Sequence, residues 1–461
     1  MKRLTKSKYL KVVKRGREFA VYNSIVSGSL LIVDQEALEL LEKFSVPTDP
    51  EVLSKQYPRV DIVLVIKQYL KANILIQENV DERERIKRDY IIHISNLKEG
   101  KSLRGLILEI TKNCNFRCTY CFARELSLHG DRLKSSHMSV SIAKKAVGLF
   151  IENAIKNEQS EIEIGFMGGE PLMCRKVIRE IVYLTTSLVH DKGHRMKIHY
   201  SITTNASLVN KEIANFLKEY NIRTSVSLDG PKELNDVCRV YPDGRGAFND
   251  IIKGLKLLVA AGNEVTVLTT LTDKNFDLLN VGFVDFLISL GVKNWGLNLE
   301  DMKSMLNRDA SGIIQKLIHL TGYALERNLN TAGMWFKPVF NMINQTKSYC
   351  KATEGAYISV EPDGKIFSCS RTAKPIGNIA HFNDLFISDK YRSMGSRVIG
   401  GLSECCGCEV EGQCLGGCVA INRPEGCRNS CGLTGYNKDA CSFTKKIVRT
   451  ILADGSLKLI E

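Results

Sequence analysis

The sequence predicts an α/β protein in which repeated strand–helix units lie between an N-terminal unit without cysteine and a cysteine-rich C-terminal part. Between about residues 104 and 325, short apolar strands alternate with helical patterns. Such βα repeats form a parallel sheet with right-handed crossovers. Cysteine is unevenly distributed, because none of the 15 lies before Cys114 and ten fall between Cys350 and Cys441. We therefore expect domains at residues 1–95, 96–329 and 330–461.

The N-terminal unit is predicted to contain short strands followed by helices. Alternating or continuous apolar residues predict strands at 10–14, 19–23, 30–33 and 73–77. Asp34 and Asp49 have the positions of helix caps, and a third helical pattern runs from Val60 to Leu70. Three strands followed by three helices resemble a small winged-helix domain. The charged residues 78–88 are expected to form a linker.

The middle part is predicted to contain six βα units. The expected strands are Leu106–Ile110, Ile162–Phe166, Lys197–Ile202, Thr224–Leu228, Glu264–Leu271 and Asn294–Leu299. Helical spacing predicts helices at Ser139–Lys156, Val177–His190, Lys211–Tyr220, Phe248–Ala261 and Leu278–Leu290. In parallel barrels the functional residues lie at the C-terminal ends of the strands. The motifs that follow these strands are therefore the candidates for a site.

Composition excludes several classes of protein. The 461 residues are 44% hydrophobic and 25% charged, which is typical of a globular chain and too apolar for a disordered one. The net charge of +13 is spread without a long basic run, so we expect no nucleic acid partner. No signal-peptide core or membrane-length apolar window is found, so we expect a cytoplasmic protein without a membrane partner. In that compartment, cysteines serve as metal ligands more often than as disulfides.

Three cysteines, Cys114, Cys118 and Cys121, follow the first barrel strand within eight residues. Thiolate is the ligand that iron–sulfur clusters use. Three thiolates hold three irons of a [4Fe–4S] cube, so the fourth iron stays open for an outside ligand. A structural zinc is the alternative, although zinc prefers four ligands with paired C-x2-4-C spacings. The C-x3-C-x2-C spacing, with Tyr120 before the last cysteine, resembles the radical S-adenosylmethionine (SAM) enzymes.

This resemblance implies a partial (β/α)6 radical SAM barrel and a type of reaction. In the family, the amino and carboxylate groups of SAM bind the open iron. An electron from an external donor such as flavodoxin or ferredoxin then cleaves SAM to a 5′-deoxyadenosyl radical, which takes a hydrogen atom from the substrate. Tyr120 is expected to place the adenine through its backbone and ring.

Two further motifs resemble SAM-binding motifs of the same family. The run Gly168-Gly169-Glu170-Pro171 follows the second strand and resembles the GGE motif, which implies that it holds the methionine amino group. The pattern Ser227-x-Asp-Gly follows the fourth strand, with Arg239 further on. It resembles the family's S-x-D-G…R pattern, which implies that Ser227 and Arg239 bind the SAM carboxylate. A common turn is the alternative for the first motif.

Four more residues near these motifs have expected positions. Asn205 closes the third strand and is expected near the ribose or the methionine of SAM, with strand-end capping as the alternative. Asp229 is a candidate to face the substrate. Cys174 and Cys238 are interpreted as ordinary buried thiols.

The C-terminal cysteines have a second specific spacing. The run Cys405-x2-Cys408-x5-Cys414-x3-Cys418 lies between an upstream pair and one downstream cysteine, and the seven together are Cys350, Cys369, Cys405, Cys408, Cys414, Cys418 and Cys441. They resemble the SPASM domain, which carries two auxiliary clusters, so that three [4Fe–4S] clusters are expected in all. Two zinc sites are the alternative.

The SPASM resemblance also implies how the seven cysteines divide. One cluster takes Cys405, Cys408, Cys414 and Cys441. The other takes Cys350, Cys369 and Cys418. Either one of the three surplus cysteines completes the second set or the fourth iron of that cluster is open, and the sequence leaves both alternatives: the surplus cysteines are Cys406, Cys427 and Cys431.

The resemblance implies a peptide maturase that forms a thioether or a carbon–carbon cross-link. The N-terminal unit resembles the peptide-recognition (RRE) domains fused to such enzymes, which implies a ribosomally made precursor whose leader adds a strand to the sheet edge. An anaerobic sulfatase maturase is one alternative, but Ser370 stands where those enzymes carry an aspartate. A non-catalytic iron–sulfur electron carrier is the other, and it would not need Glu170 or Arg239.

Overall fold

The N-terminal unit has the predicted elements and one additional strand. The computed structural model describes residues 3–56, 62–124, 136–191, 196–299, 309–419 and 438–455. The strands of this unit are β1 (Leu4–Lys6), β2 (Leu10–Arg15), β3 (Glu18–Asn23), β4 (Leu31–Val33) and β5 (Leu75–Gln77). Its helices are Gln35–Glu42, Pro50–Gln56 and Ile62–Lys71. Strands β2, β3 and β4 form an antiparallel sheet, and the unpredicted β1 pairs antiparallel with β5. The predicted start of the third helix, Val60, lies outside the described residues.

The charged stretch that was predicted as a linker instead contains the start of a helix, Glu82–Lys98. The Asp81 carboxylate caps this helix by accepting hydrogen bonds from the backbone N–H groups of Arg83 and Glu84, at 2.9 and 3.2 Å. Acidic residues in the first turn and Lys98 in the last turn suit the helix dipole. Dense charge alone therefore does not distinguish a linker from a capped, exposed helix.

A ten-stranded sheet forms the centre of the molecule. Its strands are β6 (Gly105–Thr111), β7 (Glu161–Gly168), β8 (Lys197–Thr204), β9 (Arg223–Ser227), β10 (Val265–Leu271), β11 (Asn294–Leu299), β12 (Asn330–Gly333), β13 (Tyr357–Val360), β14 (Lys365–Phe367) and β15 (Gly377–Asn378). They lie in the order β12-β11-β10-β9-β8-β7-β6-β13-β14-β15. The six predicted strands are confirmed as β6 to β11, all parallel. The edges do not pair with each other, as expected for a partial barrel.

Helices connect the parallel strands as predicted. The helices of the barrel are Val140–Lys156, Arg175–Asp191, Lys211–Glu219, Lys232–Cys238, Phe248–Ala260, Val281–Ser289, Ala310–Leu325 and Lys337–Ile343. The helices of the C-terminal part are Asp389–Gly395, Glu411–Cys414 and Lys438–Ala453. Ser139, Asn210 and Asn280 cap three of them through their side chains. Among the described helices, none has both the length and the apolar character that crossing a membrane requires.

The C-terminal part is continuous with the barrel sheet. Strand β13 adds parallel to β6, with Ile358 opposite Leu106, and β14 and β15 follow antiparallel. Strand β6 leads directly into the Cys114 loop, and β14 is followed by Cys369. The shared strand pairing therefore fixes the position of the Cys369 hairpin relative to the barrel cysteines.

The N-terminal unit is joined to the rest of the chain through β3 and the loop after it. Because side chains alternate along a strand, Val21 faces the unit's own small core, whereas Ala20 and Tyr22 belong to the main core. In the loop, the N–H of Gly28 donates to the Asn341 carbonyl at 2.9 Å, and the Ser24 carbonyl accepts from the N–H of Gly412 at 2.8 Å. This loop therefore lies against the helix that ends at Cys414.

Candidate functional site

The three barrel cysteines lie in the loop that leaves the C-terminal end of β6. All three are partly buried. Burial raises the pKa of Cys114 to about 12, and the nearby Glu170, Cys118 and Cys121 add to this shift. Burial likewise raises the pKa of Cys118 to about 11. Without bound cations these thiols stay protonated, so a metal centre is what would make them thiolates.

The backbone of the loop is fixed from two sides. The N–H groups of Arg117 and Thr119 donate to the carbonyls of Val240 and Cys238, at 2.7 and 3.0 Å, on either side of Arg239. On the other side, the N–H of Gly169 donates to the Thr111 carbonyl at 2.7 Å. The loop is therefore bound to two of the motifs that the sequence singles out.

Gly168 and Gly169 allow this close approach. Gly168 has φ +133°, and a Cβ atom there would lie 2.1 Å from the Thr111 carbonyl oxygen. A Cβ atom on Gly169 would lie 2.1 Å from the Asn113 carbonyl oxygen. No side chain fits at either position, because both obstacles are backbone atoms. The two glycines thus let the end of β7 contact the loop that carries Cys114.

Glu170 is buried, and its carboxylate accepts hydrogen bonds from residues at the end of β8. It accepts from the Thr204 hydroxyl and the Asn205 N–H, both at 2.7 Å, and from the Leu172 N–H at 3.0 Å. Burial raises the pKa of Glu170 to about 7, although these hydrogen bonds oppose the shift. The GGE resemblance predicts that this carboxylate holds an amino group, and in the structure its hydrogen bonds link the end of β7 to β8.

Asp229 connects the end of β9 to three other parts of the site, and the interpretation that it faces a substrate stays a prediction. Its side chain is fully buried and accepts hydrogen bonds from the Tyr120 hydroxyl and from the Thr270 N–H, the latter at 2.9 Å. Arg239 Nη2 donates to it at 3.0 Å. The aspartate thereby joins the Cys114 loop, β10 and Arg239.

Arg239 is the buried cation of this site. Burial disfavours its charge, but the neighbouring Asp229 carboxylate outweighs that effect and raises the pKa of Arg239. Its Nε lies 2.9 Å from Asp229 without a hydrogen-bonding angle. The guanidinium also lies 5.5 Å from the centre of the Tyr120 ring. Arg239 is therefore held in place and keeps an N–H for another acceptor.

Asn205 contacts the cysteine loop directly. Its Nδ2 donates to Asn115 Oδ1 at 2.9 Å and lies 3.9 Å from the Cys114 sulfur. Ser227 is the last residue of β9, opposite Leu268 of β10. Both residues lie at the strand ends that border the loop. The structure therefore places Asn205 against the loop and Ser227 at the end of the strand next to β8.

The two remaining barrel thiols differ from each other. Cys238 is fully buried, as expected. Cys174 is only partly buried, and its sulfur lies 3.0 Å from Nδ1 of the exposed His137. Burial still raises the pKa of Cys174, so this thiol is not an activated nucleophile.

The C-terminal cysteines form two groups. Five of them line one cavity of about 270 Å³, the four that the SPASM resemblance assigns to one cluster and the surplus Cys406: Cys405, Cys406, Cys408, Cys414 and Cys441. A water molecule occupies about 30 Å³, so this cavity has room for a much larger group. Cys369 lies near Cys350 and Cys418. Burial raises the pKa of Cys369 to about 12, and the charges of these two cysteines add to the rise. Cys427 and Cys431 lie outside the described residues.

The spacing of these thiols does not suit a single metal ion. Within the described part of the chain, no three His, Cys, Asp or Glu side chains converge on one ion position. A cube binds each thiolate at a different corner, so its ligands stand further apart than the ligands of one ion.

Three groups that the sequence analysis missed lie next to these cysteines. Lys112 is buried between Glu109 and Glu361, at 2.7 and 2.9 Å. Arg83 binds both carboxylate oxygens of Glu411, at 2.5 and 2.8 Å. The third group, Arg397, lies between the two C-terminal cysteine groups. None has a motif, because Glu361, Glu411 and Gly416 each lie far from their partner in sequence or in a loop.

The barrel region also matches a family model. Residues 108–279, which contain the cysteine loop and the strand-end motifs, match the model of the radical SAM superfamily. These residues are a radical SAM domain. The domain implies a [4Fe–4S] cluster and S-adenosylmethionine, and makes the protein a radical SAM enzyme.

Several relatives of this radical SAM enzyme are known. The radical SAM cyclopropyl synthase TigE of Paramaledivibacter caminithermalis is 28% identical over 97% of this chain and 95% of its own. An uncharacterized Methanocaldococcus jannaschii protein is 30% identical over 61% of this chain and 90% of its own. The cysteine-type anaerobic sulfatase-maturating enzyme of Clostridium novyi is 26% identical over 70% of this chain and 90% of its own.

Two solved structures share the fold of this radical SAM enzyme. Native anSMEcpe with bound AdoMet has a TM-score of 0.60 and 19% identity, and covers 76% of this chain and 97% of its own. Streptococcus suis SuiB bound to the precursor peptide SuiA has a TM-score of 0.51 and 18% identity, and covers 95% of this chain and 99% of its own. The likeness to SuiB thus extends beyond the part shared with anSMEcpe.

Proposed function

We propose that this radical SAM enzyme abstracts a hydrogen atom from a ribosomally made precursor peptide and forms a carbon–carbon bond in it. The supporting observation is the similarity to a radical SAM cyclopropyl synthase over 97% of this chain. A cyclopropyl ring is closed by a carbon–carbon bond, which favours that outcome over a thioether. A peptide substrate is supported by the shared fold with SuiB, which binds the precursor peptide SuiA.

The SAM-binding cluster is assigned to Cys114, Cys118 and Cys121. The cluster and SAM together supply the 5′-deoxyadenosyl radical that abstracts the hydrogen atom. Arg239 binds the SAM carboxylate through the N–H that Asp229 leaves without a hydrogen bond, with Ser227 beside it at the end of β9. Gly168 and Gly169 leave room for the methionine amino group next to the loop. Tyr120 borders the adenine, and Asn205 the ribose or the methionine.

The auxiliary clusters are assigned to the two C-terminal cysteine groups. Cys405, Cys408, Cys414 and Cys441 line one cavity together with the exposed Cys406, and these four supply the donor set of a [4Fe–4S] cube. Cys350, Cys369 and Cys418 hold the other cluster. Because closing a bond after hydrogen abstraction releases one electron and one proton, a nearby cluster is a suitable electron acceptor.

A sulfatase maturase is the second candidate function, because such enzymes are among the relatives. Two observations disfavour it. The likeness to anSMEcpe covers 76% of this chain, against 95% for SuiB. The residue after Cys369 is Ser370, whose hydroxyl lies 3.4 Å from the hydroxyl of Ser359 and provides no carboxylate.

The product can be identified by mass spectrometry. We expect a short reading frame next to this gene to encode the precursor. Co-expression should lower the peptide mass by a pair of hydrogens for each new bond, and fragmentation should place the bond between two carbon atoms. Conversion of a sulfatase cysteine or serine to an aldehyde, with no change in the neighbouring peptide, would instead identify a sulfatase maturase.

Arg239→Ala should weaken SAM binding by about 1.5–3 kcal/mol, the value of one hydrogen bond to a charged group. Glu170→Ala should also weaken it, because the GGE resemblance gives this carboxylate the methionine amino group and its hydrogen bonds hold Asn205 beside the loop. Equilibrium binding of SAM to the iron-loaded enzyme measures this effect. Arg245→Ala is the control, because Arg245 is an exposed arginine paired with Asp250. If both test variants bind SAM like the wild type, the two motifs have only the structural roles seen in their hydrogen bonds.

Precursor recognition is assigned to the N-terminal unit. In helix Ile62–Lys71, Val63 and Leu64 are 48% and 53% exposed, and this helix shares a small core with Val33 of the edge strand β4. An apolar face beside a strand edge suits a peptide that adds as a strand. Truncation would not test this role, because the loop after β3 is bound to Gly412 beside Cys414.

The double variant Val63→Asp/Leu64→Asp should raise KM for the full precursor by tenfold or more. Losing the burial of two apolar side chains costs about 1.5–3 kcal/mol each, and 1.4 kcal/mol is a factor of about ten. SAM cleavage without peptide should not change. Leu278→Asp is the control, because Leu278 is 63% exposed on the barrel. An unchanged KM in the double variant would contradict recognition at this face.

A further inference from the structure

Arg397 is a buried arginine that lies between the two C-terminal cysteine groups. It is 3% exposed. Its segment lies beside the one that leads to Cys350, because Ser348 forms a β-bridge with Val398. On its other side, Nη2 lies 3.4 Å from the Gly416 carbonyl oxygen. Gly416 is midway between Cys414, which belongs to one group, and Cys418, which belongs to the other.

The turn between Cys414 and Cys418 is shaped around this guanidinium. Leu415, Gly416 and Gly417 have φ angles of +52°, +75° and +67°, so three successive residues are left-handed. A leucine rarely adopts that conformation, because its Cβ atom then crowds the following carbonyl oxygen. A Cβ atom on Gly416 would lie 2.7 Å from Nη2 of Arg397. The chain therefore adopts an unfavourable backbone conformation that leaves room for the guanidinium.

Both cysteine groups act on the charge of Arg397. Burial lowers its pKa, and four cysteines oppose that effect: Cys405, Cys350, Cys414 and Cys418. Two belong to each group. Protonated thiols offer little negative charge, whereas thiolates bound to iron carry it permanently. A buried guanidinium in this position is thus matched to two anionic centres.

We propose that Arg397 is the shared counter-charge of the two auxiliary clusters and that it raises the reduction potential of both. The proposal rests on the proposed function, which assigns clusters to these cysteines. Net charge, hydrogen bonding and solvent exposure set the potential of an iron–sulfur cluster. Reduction adds a negative charge, and a fixed cation in a low-dielectric interior stabilises that more negative state. Arg397 thereby makes both clusters better electron acceptors. It acts through its charge on the clusters, without contact to substrate.

The test is a potentiometric titration of the full-length, iron-loaded enzyme, monitored by electron paramagnetic resonance. We expect Arg397→Gln to lower both auxiliary potentials, by at least a tenfold change in the reduced-to-oxidised ratio, or about 59 mV for a one-electron couple. Arg397→Lys, which keeps the charge, should restore most of this shift. The potential of the SAM-binding cluster should not move. Arg449→Gln is the control, because Arg449 is 66% exposed and paired with Glu409 at 2.9 Å, beside Cys408.

Each outcome distinguishes the proposal from the function on which it rests. About twelve irons per chain with unchanged auxiliary potentials in Arg397→Gln would overturn the role of Arg397 and leave the clusters. About four irons in the wild type would overturn the auxiliary clusters, and the Arg397 proposal with them. Loss of auxiliary iron in the Gln variant alone would support the counter-charge, because the neutral site then fails to hold anionic clusters. An equal loss of auxiliary iron in Arg397→Lys would show that Arg397 has a packing role and would overturn its role as a counter-charge.

Discussion

The variant Cys114→Ala/Cys118→Ala/Cys121→Ala should make no 5′-deoxyadenosine while keeping its C-terminal clusters. The three barrel thiols and the C-terminal cysteines share no ligand in the proposed assignment. Iron content should therefore fall from about twelve to about eight per chain, one four-iron cube being lost. SAM cleavage should be lost completely, because residues 111–124 at the end of β6 and in the loop after it contain no other cysteine.

Chromatography of 5′-deoxyadenosine after chemical reduction, together with iron analysis, measures both effects. Cys174→Ala is the matched control, because Cys174 is a partly buried barrel thiol near the loop that is assigned to no cluster. It should keep both full cleavage and full iron content. If the triple variant still cleaved SAM, the SAM site would have to lie elsewhere in the chain.

The order of the barrel could be predicted because each strand and helix has a local signal. The six strands β6 to β11 are short apolar runs, and helices such as Val140–Lys156 have a capping residue and a periodic apolar face. Cysteine spacing is equally local, since the donors of one loop are a few residues apart. Signals of this kind need no knowledge of which segments meet in space.

The contacts between motifs could not be predicted in the same way. Tyr120 meets Asp229, which is 109 residues away, and Thr204 meets Glu170, which is 34 residues away. The sequence shows both carboxylates at strand ends but not whether they point inward or toward a ligand. For Asp229 the sequence did not show that its partners come from β10, the cysteine loop and Arg239.

The boundaries between the parts of the chain were also hidden in the sequence. Strand β13 is only four residues long, and its pairing with β6 joins segments about 250 residues apart. Similarly, Gln413 donates to the carbonyls of Asn23 and Val26 across nearly the whole chain, at 2.8 Å in both cases. Composition separates three regions, but these hydrogen bonds connect all of them around the C-terminal cysteines.

The buried ion cluster around Lys112 connects the barrel to the C-terminal part. The Lys112 side chain is 5% exposed, and its Nζ lies 2.7 Å from Glu109 and 2.9 Å from Glu361. Glu109 also accepts a hydrogen bond from the Ser359 hydroxyl of β13 at 2.7 Å. Lys112 comes two residues before Cys114, so one ammonium group joins the start of the cysteine loop to the segment that leads to Cys369.

Lys112→Met should therefore lower the free energy of unfolding of the iron-loaded enzyme by about 3–5 kcal/mol. Removing one partner of a buried ion pair leaves the opposite charge uncompensated, and here two carboxylates share the lost cation. Denaturant unfolding measures the loss.

The control is Lys351→Met, because Lys351 is 58% exposed and 3.4 Å from Glu354, and such a surface pair is worth about 0–1 kcal/mol. If Lys112→Met cost no more than this control, the cluster would not be what holds the cysteine loop against β13. A full loss with unchanged SAM cleavage at low temperature would limit its role to stability, whereas slower cleavage would show that it also positions Cys114.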